Sequence, residues 1–152
     1  MRAVVQRVDM AEIKIEYSET KTISKGLVVY LGVMSGDSEK EATYLANKIS
    51  DLRIFTDEND KLNLSLKDFK GDILIVSNFT LAADCRKGRR PSFENAERPE
   101  KAEVLYDYFV KLMKEIDGLG KIETGEFGAH MDILSSNSGP INLIMDTNVI
   151  QK

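Results

Sequence analysis

Alternating and continuous apolar runs predict several β-strands in this chain. Residues 2 to 8 and 11 to 17 are expected to form two strands. In the second of them apolar and charged positions alternate, which is typical of a strand with one solvent-facing side. The uninterrupted apolar runs 26 to 33 and 72 to 81 predict central strands that are buried on both faces. Shorter strands are expected at 52 to 55, 61 to 64, 121 to 125, 128 to 135 and 141 to 146.

Two longer segments carry apolar residues at helical spacing. Ser38 and Glu41 fit a capping box, with Asp37 as the alternative cap, and an apolar stripe over 42 to 52 follows them. The second helix is expected over 99 to 118, because a proline at its start is well tolerated in the first helical turn and a glycine stands at its end. The sequence therefore predicts two main helices.

The order of these elements predicts an α+β fold built on a mostly antiparallel, barrel-like sheet. With 152 residues, the chain is expected to be a single domain over 1 to 152 that buries a core without disulfides or metals. No apolar run reaches the roughly 20 residues that a bilayer-spanning helix needs. The first ten residues do not resemble a signal peptide. We therefore expect a cytoplasmic protein without a membrane partner.

Side chains of the usual catalytic types are scarce. Cys85 is the only cysteine and His130 the only histidine, so neither a disulfide framework nor a Cys/His zinc site is expected, and no metal or cofactor is predicted. The Cys85 thiol lies beside two cations and could be an activated nucleophile, although a plain surface thiol is favoured. The Thr80 hydroxyl is a credible positioning group and a weaker candidate nucleophile.

One compact basic segment stands on an acidic chain of net charge −4. Arg86, Lys87, Arg89 and Arg90 fall within five positions. Such a segment suits one local, phosphate-rich partner, and charge alone favours a solvated loop equally.

Two further features have an ordinary structural explanation beside a functional one. Phe127 stands between Glu126 and Gly128 and could stack on a nucleobase or belong to the core. The Gly139-Pro140 step precedes the last apolar run. It can be a tight turn between two strands, or a rigid step that serves the function.

Seven segments, taken together, resemble the D-aminoacyl-tRNA deacylases. In chain order they are MRAVVQRV, GLVVYLGV, LRIFTDENDKLNLSL, SNFTLAADCRKGRRPSF, LYDYFV, TGEFGAHM and NSGP. They span nearly the whole chain in the family's order and spacing. The resemblance implies a cytoplasmic homodimer of barrel-like α+β protomers. It also implies an enzyme that hydrolyses the ester between a D-amino acid and the 3′ end of tRNA, and that removes glycine mischarged onto tRNA.

The resemblance implies a catalytic segment of Ser77, Asn78, Phe79 and Thr80, which matches the family's first signature motif. Asn78 stands where the family has Gln, so its amide is kept on a side chain one methylene shorter. Main-chain amides around Phe79 and Thr80 are expected to bind the carbonyl oxygen of the substrate, because backbone N–H groups can stabilise an oxyanion. The 2′-OH of the RNA is expected to help orient the attacking water.

The second family motif is matched by Asn137, Gly139 and Pro140, with Asn142 where the family has Thr. By resemblance, the Gly139-Pro140 peptide bond is cis and reaches into the active site of the partner subunit. There it would exclude L-amino acids, and Arg7 would help to hold it in place. Such a steric filter leaves glycine unexcluded.

The remaining expected contacts concern the RNA. Phe127 and Met131 would contact the terminal adenosine, while Lys87, Arg89 and Arg90 would meet tRNA phosphates. The departures at Asn78 and Asn142 also keep open a non-catalytic, dimeric relative that binds tRNA or another nucleic acid.

Overall fold

One long strand, β1 (Arg2–Ile15), organises the sheet of this computed structural model, which describes residues 1–18 and 20–150. On one edge, β1 pairs antiparallel first with β3 (Gly26–Gly32) and then with β2 (Thr20–Ile23). Its other edge pairs with β8 (Met131–Asp146) over its whole length. The prediction of two strands was wrong, because a bulge around Asp9 carries the chain through this polar position without a turn.

The sheet is mixed, since β6 (Asp72–Ser77) runs parallel to both β3 and β7 (Ile122–Thr124). Two lysines bridge β2 and β7: Lys21 Nζ donates to Thr124 O and Lys121 Nζ to Thr22 O, each over 2.8 Å. These bonds nearly close the sheet into a barrel. The predicted barrel-like α+β architecture is confirmed, with more parallel pairing than expected. A two-stranded hairpin of β4 (Phe55–Thr56) and β5 (Leu62–Leu64) replaces the predicted strands at 52 to 55 and 61 to 64.

Both predicted helices are present. The first, α1 (Glu39–Asp51), begins with the expected capping box of Ser38 and Glu41. The other, α3 (Pro99–Glu115), ends three residues before the predicted glycine stop. Two single-turn helices, α2 (Leu66–Phe69) and α4 (Thr147–Ile150), were not predicted, because one turn is too short to show an apolar stripe. No helix in the described part of the chain is long and apolar enough to cross a membrane.

The core lies on both faces of β3, as the continuous apolar run predicted. Leu27, Val29 and Leu31 face the helices, where Phe109 of α3 is fully buried. Val28 points to the opposite side and joins a smaller cluster inside the barrel. This packing fixes the ends of β3 and β6, where the cavity described below opens.

The Gly139-Pro140 step lies inside β8 and does not separate two strands, so the reading as a turn between strands 128 to 135 and 141 to 146 was wrong. Asn142 pairs with Gln6 and Asn137 with Val8. Four residues of β8, 138 to 141, therefore lie opposite one residue of β1. The segment leaves the sheet as a large bulge. Proline has no N–H for the ladder, and within the bulge none is needed, so the strand continues past it.

Candidate active site

A cavity of about 720 Å³ opens where β3, β6, the start of α3 and the loop before β8 meet. Its floor is apolar and buried. Its rim is exposed and carries Phe79, Phe93 and His130. The residues that line it are Tyr30, Leu31, Val33, Val76, Ser77, Asn78, Phe79, Phe93, Ala96, Glu97, Pro99, Ala102, Tyr106, Phe127, Gly128, Ala129, His130, Met131 and Ile133. A cavity of this size and character suits one small organic group, such as a nucleoside.

Three of the four residues predicted as catalytic line this cavity: Ser77, Asn78 and Phe79. The predicted strand 72 to 81 ends early, at Ser77, because the Asn78 side chain caps a 3-10 helix over Phe79–Ala82. Asparagine is among the best capping residues, since its short side chain reaches the amide two residues on. The Asn78 side chain, shorter than the glutamine of the family motif, thus has a structural role of its own as a helix cap.

Thr80 is held by Asn78 through both its polar groups. The Asn78 Oδ1 atom accepts from the Thr80 N–H over 3.1 Å and from the Thr80 hydroxyl over 2.5 Å. A carboxamide oxygen is not a base that could deprotonate a hydroxyl, so this contact does not activate Thr80 as a nucleophile. The Thr80 amide is also engaged, which is at odds with the expectation that it helps to bind an oxyanion.

The Phe79 backbone amide is differently placed. Asn78 N donates to Leu31 O over 2.8 Å, and this bond anchors the turn to the end of β3. The Phe79 N–H, in contrast, has no acceptor within residues 1–18 and 20–150. A free N–H at the start of a helical turn is a donor for an oxygen atom of a ligand.

The loop over residues 125 to 130 forms the opposite wall of the cavity and carries Phe127. Its start is fixed at Ile75 O, which accepts from Gly125 N over 3.0 Å and from the Tyr106 hydroxyl over 2.9 Å. The Tyr106 ring contacts Phe127, with centroids 6.1 Å apart. Burial raises the pKa of Tyr106, which keeps its hydroxyl a neutral donor. Met131 follows this loop and also lines the cavity.

The structure does not bring Gly139 and Pro140 into this cavity. Both are exposed on β8, their peptide bond is cis, and neither lines the cavity of its own chain. Arg7 holds the bulge: its Nε donates to Ser138 O over 3.3 Å and its Nη1 to Ile54 O over 2.9 Å.

Two asparagine side chains fix the same bulge from its ends. The Asn137 Nδ2 atom donates to Arg7 O over 3.0 Å and to Ile141 O over 3.3 Å. The Asn142 Nδ2 atom donates to Asn137 Oδ1 over 3.0 Å. Asn142 therefore orients the amide of Asn137.

The basic segment forms the tip of a narrow hairpin, residues 84 to 92, here called the basic hairpin. Its base is closed by two backbone bonds between Asp84 and Ser92, of 2.8 and 3.0 Å. Arg86 donates to both carboxylate oxygens of Asp84 and lowers the pKa of that carboxyl to about 2. Lys87, Arg89 and Arg90 are exposed at the tip, as is Arg86, which is paired with Asp84.

The two remaining candidates have surface positions. The Cys85 thiol is exposed and is not part of the cavity wall, so nothing in the geometry pairs it with a base there. The His130 ring is exposed on the rim, with its Nε2 atom 3.7 Å from an Asp132 carboxylate oxygen. Within residues 1–18 and 20–150, no group of three or more His, Cys, Asp or Glu side chains could hold a metal ion.

Glu97 lies on the cavity wall as a firmly ionised carboxylate. Lys101 donates to it over 2.8 Å, and the Arg98 and Gly36 amides donate to it as well. These bonds lower its pKa from 4.5 to about 2. The charge thus ties the start of α3 to the loop after β3.

We expect acid to weaken the fold partly through Glu97. Its pKa is depressed in the folded state, so its stabilising effect is complete above about pH 4.5 and is lost as the pH falls towards 2. In urea unfolding, Glu97→Gln should therefore lose less stability than the unchanged chain between about pH 5 and pH 3. Glu103→Gln, at an exposed position of α3, is the control. An unchanged pH dependence in Glu97→Gln would contradict this assignment.

Sequence reasoning missed Phe93 and Tyr106. Phe93 follows the basic hairpin and touches the Phe79 ring, with centroids 5.1 Å apart. Tyr106 lies on the buried face of α3, and its hydroxyl also fixes the cavity loop. Neither role has a local signal, because each depends on contacts between residues far apart in the chain.

Comparisons with known proteins agree on one family. The family model described as "D-Tyr-tRNA(Tyr) deacylase" matches residues 4–146. The D-aminoacyl-tRNA deacylase of Thermosipho melanesiensis is 52% identical over 150 residues, covering 99% of both chains. That of Desulfatibacillum aliphaticivorans is 54% identical over 148 residues, covering 97% of this chain and 99% of the relative.

Two solved structures share the fold. One, named "c-Myc DNA Unwinding Element Binding Protein", is 36% identical with a TM-score of 0.90 and covers 97% of this chain and 99% of its own. The other, described as "Structural Analysis of a probable eukaryotic D-amino acid tRNA deacylase", is 18% identical with a TM-score of 0.82. It covers 95% of this chain and 97% of its own, and shows the fold alone.

Proposed function

The chain belongs to the D-Tyr-tRNA(Tyr) deacylase family, a family of ester hydrolases, and on that premise we propose how its cavity acts on aminoacyl-tRNA. The substrate is the ester between a D-amino acid, or glycine, and the 3′-terminal adenosine of tRNA. The products are the free amino acid and the tRNA. Since aminoacyl-tRNA is used in the cytoplasm, we place the enzyme there.

The free Phe79 N–H is the observation that carries this proposal. An aminoacyl ester is already activated, so an enzyme needs only to hold it, stabilise the oxyanion and admit water. Water attacks the carbonyl carbon, the Phe79 amide donates to the oxygen that becomes negative, and the 3′ oxygen leaves with a proton. Ser77 and Asn78 shape this wall, Thr80 holds the turn through Asn78, and the 2′-OH of the substrate orients the water.

The terminal adenosine occupies the cavity beside Phe127 and Met131. An aromatic side chain next to an apolar thioether offers the face and edge contacts that a nucleobase uses. The bonds of Gly125 and Tyr106 to Ile75 O keep this wall in place, which supports a preformed site.

The chirality filter is contributed by a second copy of the chain. Gly139 and Pro140 do not line the cavity of their own chain. They project from β8 on a bulge fixed by Arg7 and Asn137, and a rigid projection suits insertion into a partner. Backbone atoms of this bulge, held against the α-carbon of the substrate, would occupy the space that an L side chain needs. Glycine has only a hydrogen atom there, so it is not excluded.

A homodimer is further supported by the outer face of β8. Leu134 and Ile144, two large aliphatic side chains of this strand, are 65% and 76% exposed there. Burial of both against the same strand of a second copy gives an isologous, two-fold interface.

We therefore expect Ile144→Lys to shift the protein from twice its chain mass of 17.1 kDa towards one chain mass in analytical ultracentrifugation. A lysine at the centre of an apolar contact leaves a desolvated charge. The matched control is Val104→Lys, at an exposed aliphatic position of α3. A monomeric unchanged chain that still hydrolyses D-aminoacyl-tRNA would contradict the dimer.

The cations Lys87, Arg89 and Arg90 of the basic hairpin are proposed to contact tRNA phosphates. Replacing any one of them with Ala should weaken binding to all tRNAs alike and lower the slope of log Kd against log salt by about 1. Lys48→Ala, an exposed lysine on α1, is the control. If affinity and slope do not respond at any of the three positions, the basic hairpin is a solvated loop.

Deacylation of D-Tyr-tRNA, L-Tyr-tRNA and Gly-tRNA tests the proposal as a whole. We expect hydrolysis of the first and third substrates and protection of the second. If D-Tyr-tRNA is hydrolysed no faster with the protein than without it, the assignment as an enzyme is wrong.

A second candidate function is nucleic-acid binding without catalysis. It is favoured by the 36% identical solved structure, whose name is that of a DNA-binding protein, and by the departures at Asn78 and Asn142. The same deacylation assay, run beside binding to tRNA and to duplex DNA, separates the two functions.

A further inference from the structure

We propose that Phe79 and Phe93 form a second nucleotide site, an aromatic shelf that stacks on the base preceding the terminal adenosine. The inference rests on the proposed function, because it assumes that the adenosine occupies the cavity. It adds a contact on the exposed rim of that cavity and names its ligand as any nucleobase of a single-stranded 3′ end.

The two rings of the aromatic shelf are exposed next to each other on the cavity rim. Phe79 is 60% and Phe93 is 37% exposed, and their planes are inclined by 64° at a centroid distance of 5.1 Å. In this edge-to-face pair, one ring supports the other and leaves π faces open to solvent. Open aromatic faces are the usual platform for unpaired bases.

The position of the aromatic shelf fits the path of an RNA strand. The cavity lies on one side of it, because both rings belong to the cavity wall. The basic hairpin adjoins it, since Phe93 directly follows Ser92 at the closed base of the hairpin. A strand that ends in the cavity crosses the rim, and on this path its next phosphates would approach the hairpin that carries Lys87, Arg89 and Arg90.

Two carboxylates beside this path are already held in ion pairs. Glu97, the nearby carboxylate of the wall, is already neutralised by Lys101 and two backbone amides. Asp84 is likewise paired with Arg86. The cations that remain available at the tip of the basic hairpin therefore favour a phosphate-bearing occupant over an acidic or purely apolar one.

Stacking on an aromatic ring does not distinguish bases strongly, because every base has a π face. The aromatic shelf should therefore require a base at the penultimate position without selecting which one. Loss of that base should cost about 5- to 150-fold in kcat/KM, the equivalent of about 1–3 kcal/mol per stacked base.

Three short substrates test the aromatic shelf: 3′-D-tyrosyl-adenosine, the D-tyrosyl dinucleotide CpA, and the same dinucleotide with an abasic first residue. For the unchanged protein we expect CpA to exceed the abasic dinucleotide by at least about 5-fold. In Phe93→Leu, which keeps apolar bulk but removes the π face, the ratio should fall several-fold. Phe69→Leu is the matched control, since Phe69 is 36% exposed and also contacts another phenylalanine, Phe55.

The outcomes separate the aromatic shelf from the proposed function. If the unchanged protein hydrolyses none of the three substrates and no D-aminoacyl-tRNA, the proposed function fails. If it hydrolyses all three but Phe93→Leu keeps the full ratio, the aromatic shelf is wrong. An equal loss of kcat/KM on all three substrates in Phe93→Leu, together with weaker dimerisation, would also overturn the aromatic shelf. It would assign these rings to contact with a second copy of the chain.

Discussion

Replacing Phe79 with proline should slow D-aminoacyl-tRNA hydrolysis by about 10²–10³-fold, the usual effect of removing one oxyanion donor. Proline lacks the backbone N–H, and the neighbouring Thr80 amide cannot replace it, because that amide is bonded to Asn78. We expect the position to accept proline. Phe79 is the first residue of a helical turn, and Asn78 before it is extended at φ −146° and ψ 92°, near the region that residues before proline adopt.

Phe79→Ala is the control, because it loses the same ring but keeps the amide. Comparison of the two variants isolates the N–H from any stacking by the ring. A transition-state donor should affect kcat more than KM, so the loss between Ala and Pro should lie in kcat. Equal kcat values in the two variants would remove the Phe79 amide from the mechanism.

The parts of the fold that sequence patterns predicted are those with a local cause. The Ser38–Glu41 capping box and the α1 stripe depend on residues within a few turns of each other, and both are present. The long strands β1 and β8 were each split in two, because Asp9 and Gly139-Pro140 interrupt the apolar pattern locally. In the folded protein the two strands absorb both interruptions as bulges against each other, which only their pairing explains.

The site likewise has features with a local cause and features that depend on contacts within the folded chain. The segment from Ser77 to Phe79 could be located by its motif, yet the availability of the Phe79 amide and the engagement of Thr80 depend on how Asn78 folds back. Asn142, a departure from the family pattern, acquires a role only through its bond to Asn137. Phe93 joins the cavity because the basic hairpin turns it towards Phe79, a contact across 14 positions of the sequence.

Arg7→Ala should lower the preference for D- over L-aminoacyl-tRNA by at least about tenfold. Arg7 is the only residue of β1 opposite the bulge, and its guanidinium connects Ser138 O to Ile54 O. Each hydrogen bond from a charged group contributes about 1.5–3 kcal/mol, and their loss would free the bulge to move away from the substrate. A displaced filter admits the L side chain, so the main change should be a faster reaction with L-Tyr-tRNA.

The comparison of kcat/KM on D-Tyr-tRNA, L-Tyr-tRNA and Gly-tRNA is the measurement. Glycine has no side chain to exclude. The ratio of kcat/KM for Gly-tRNA to that for D-Tyr-tRNA should therefore change far less than the ratio for L-Tyr-tRNA to D-Tyr-tRNA. Lys14→Ala, an exposed change on the same strand, controls for general effects on β1. Equal losses on all three substrates would mean that Arg7 supports the fold alone, since a merely destabilised protein cannot gain activity towards the L ester. A selective gain on the L ester instead ties chiral discrimination to the position of the bulge.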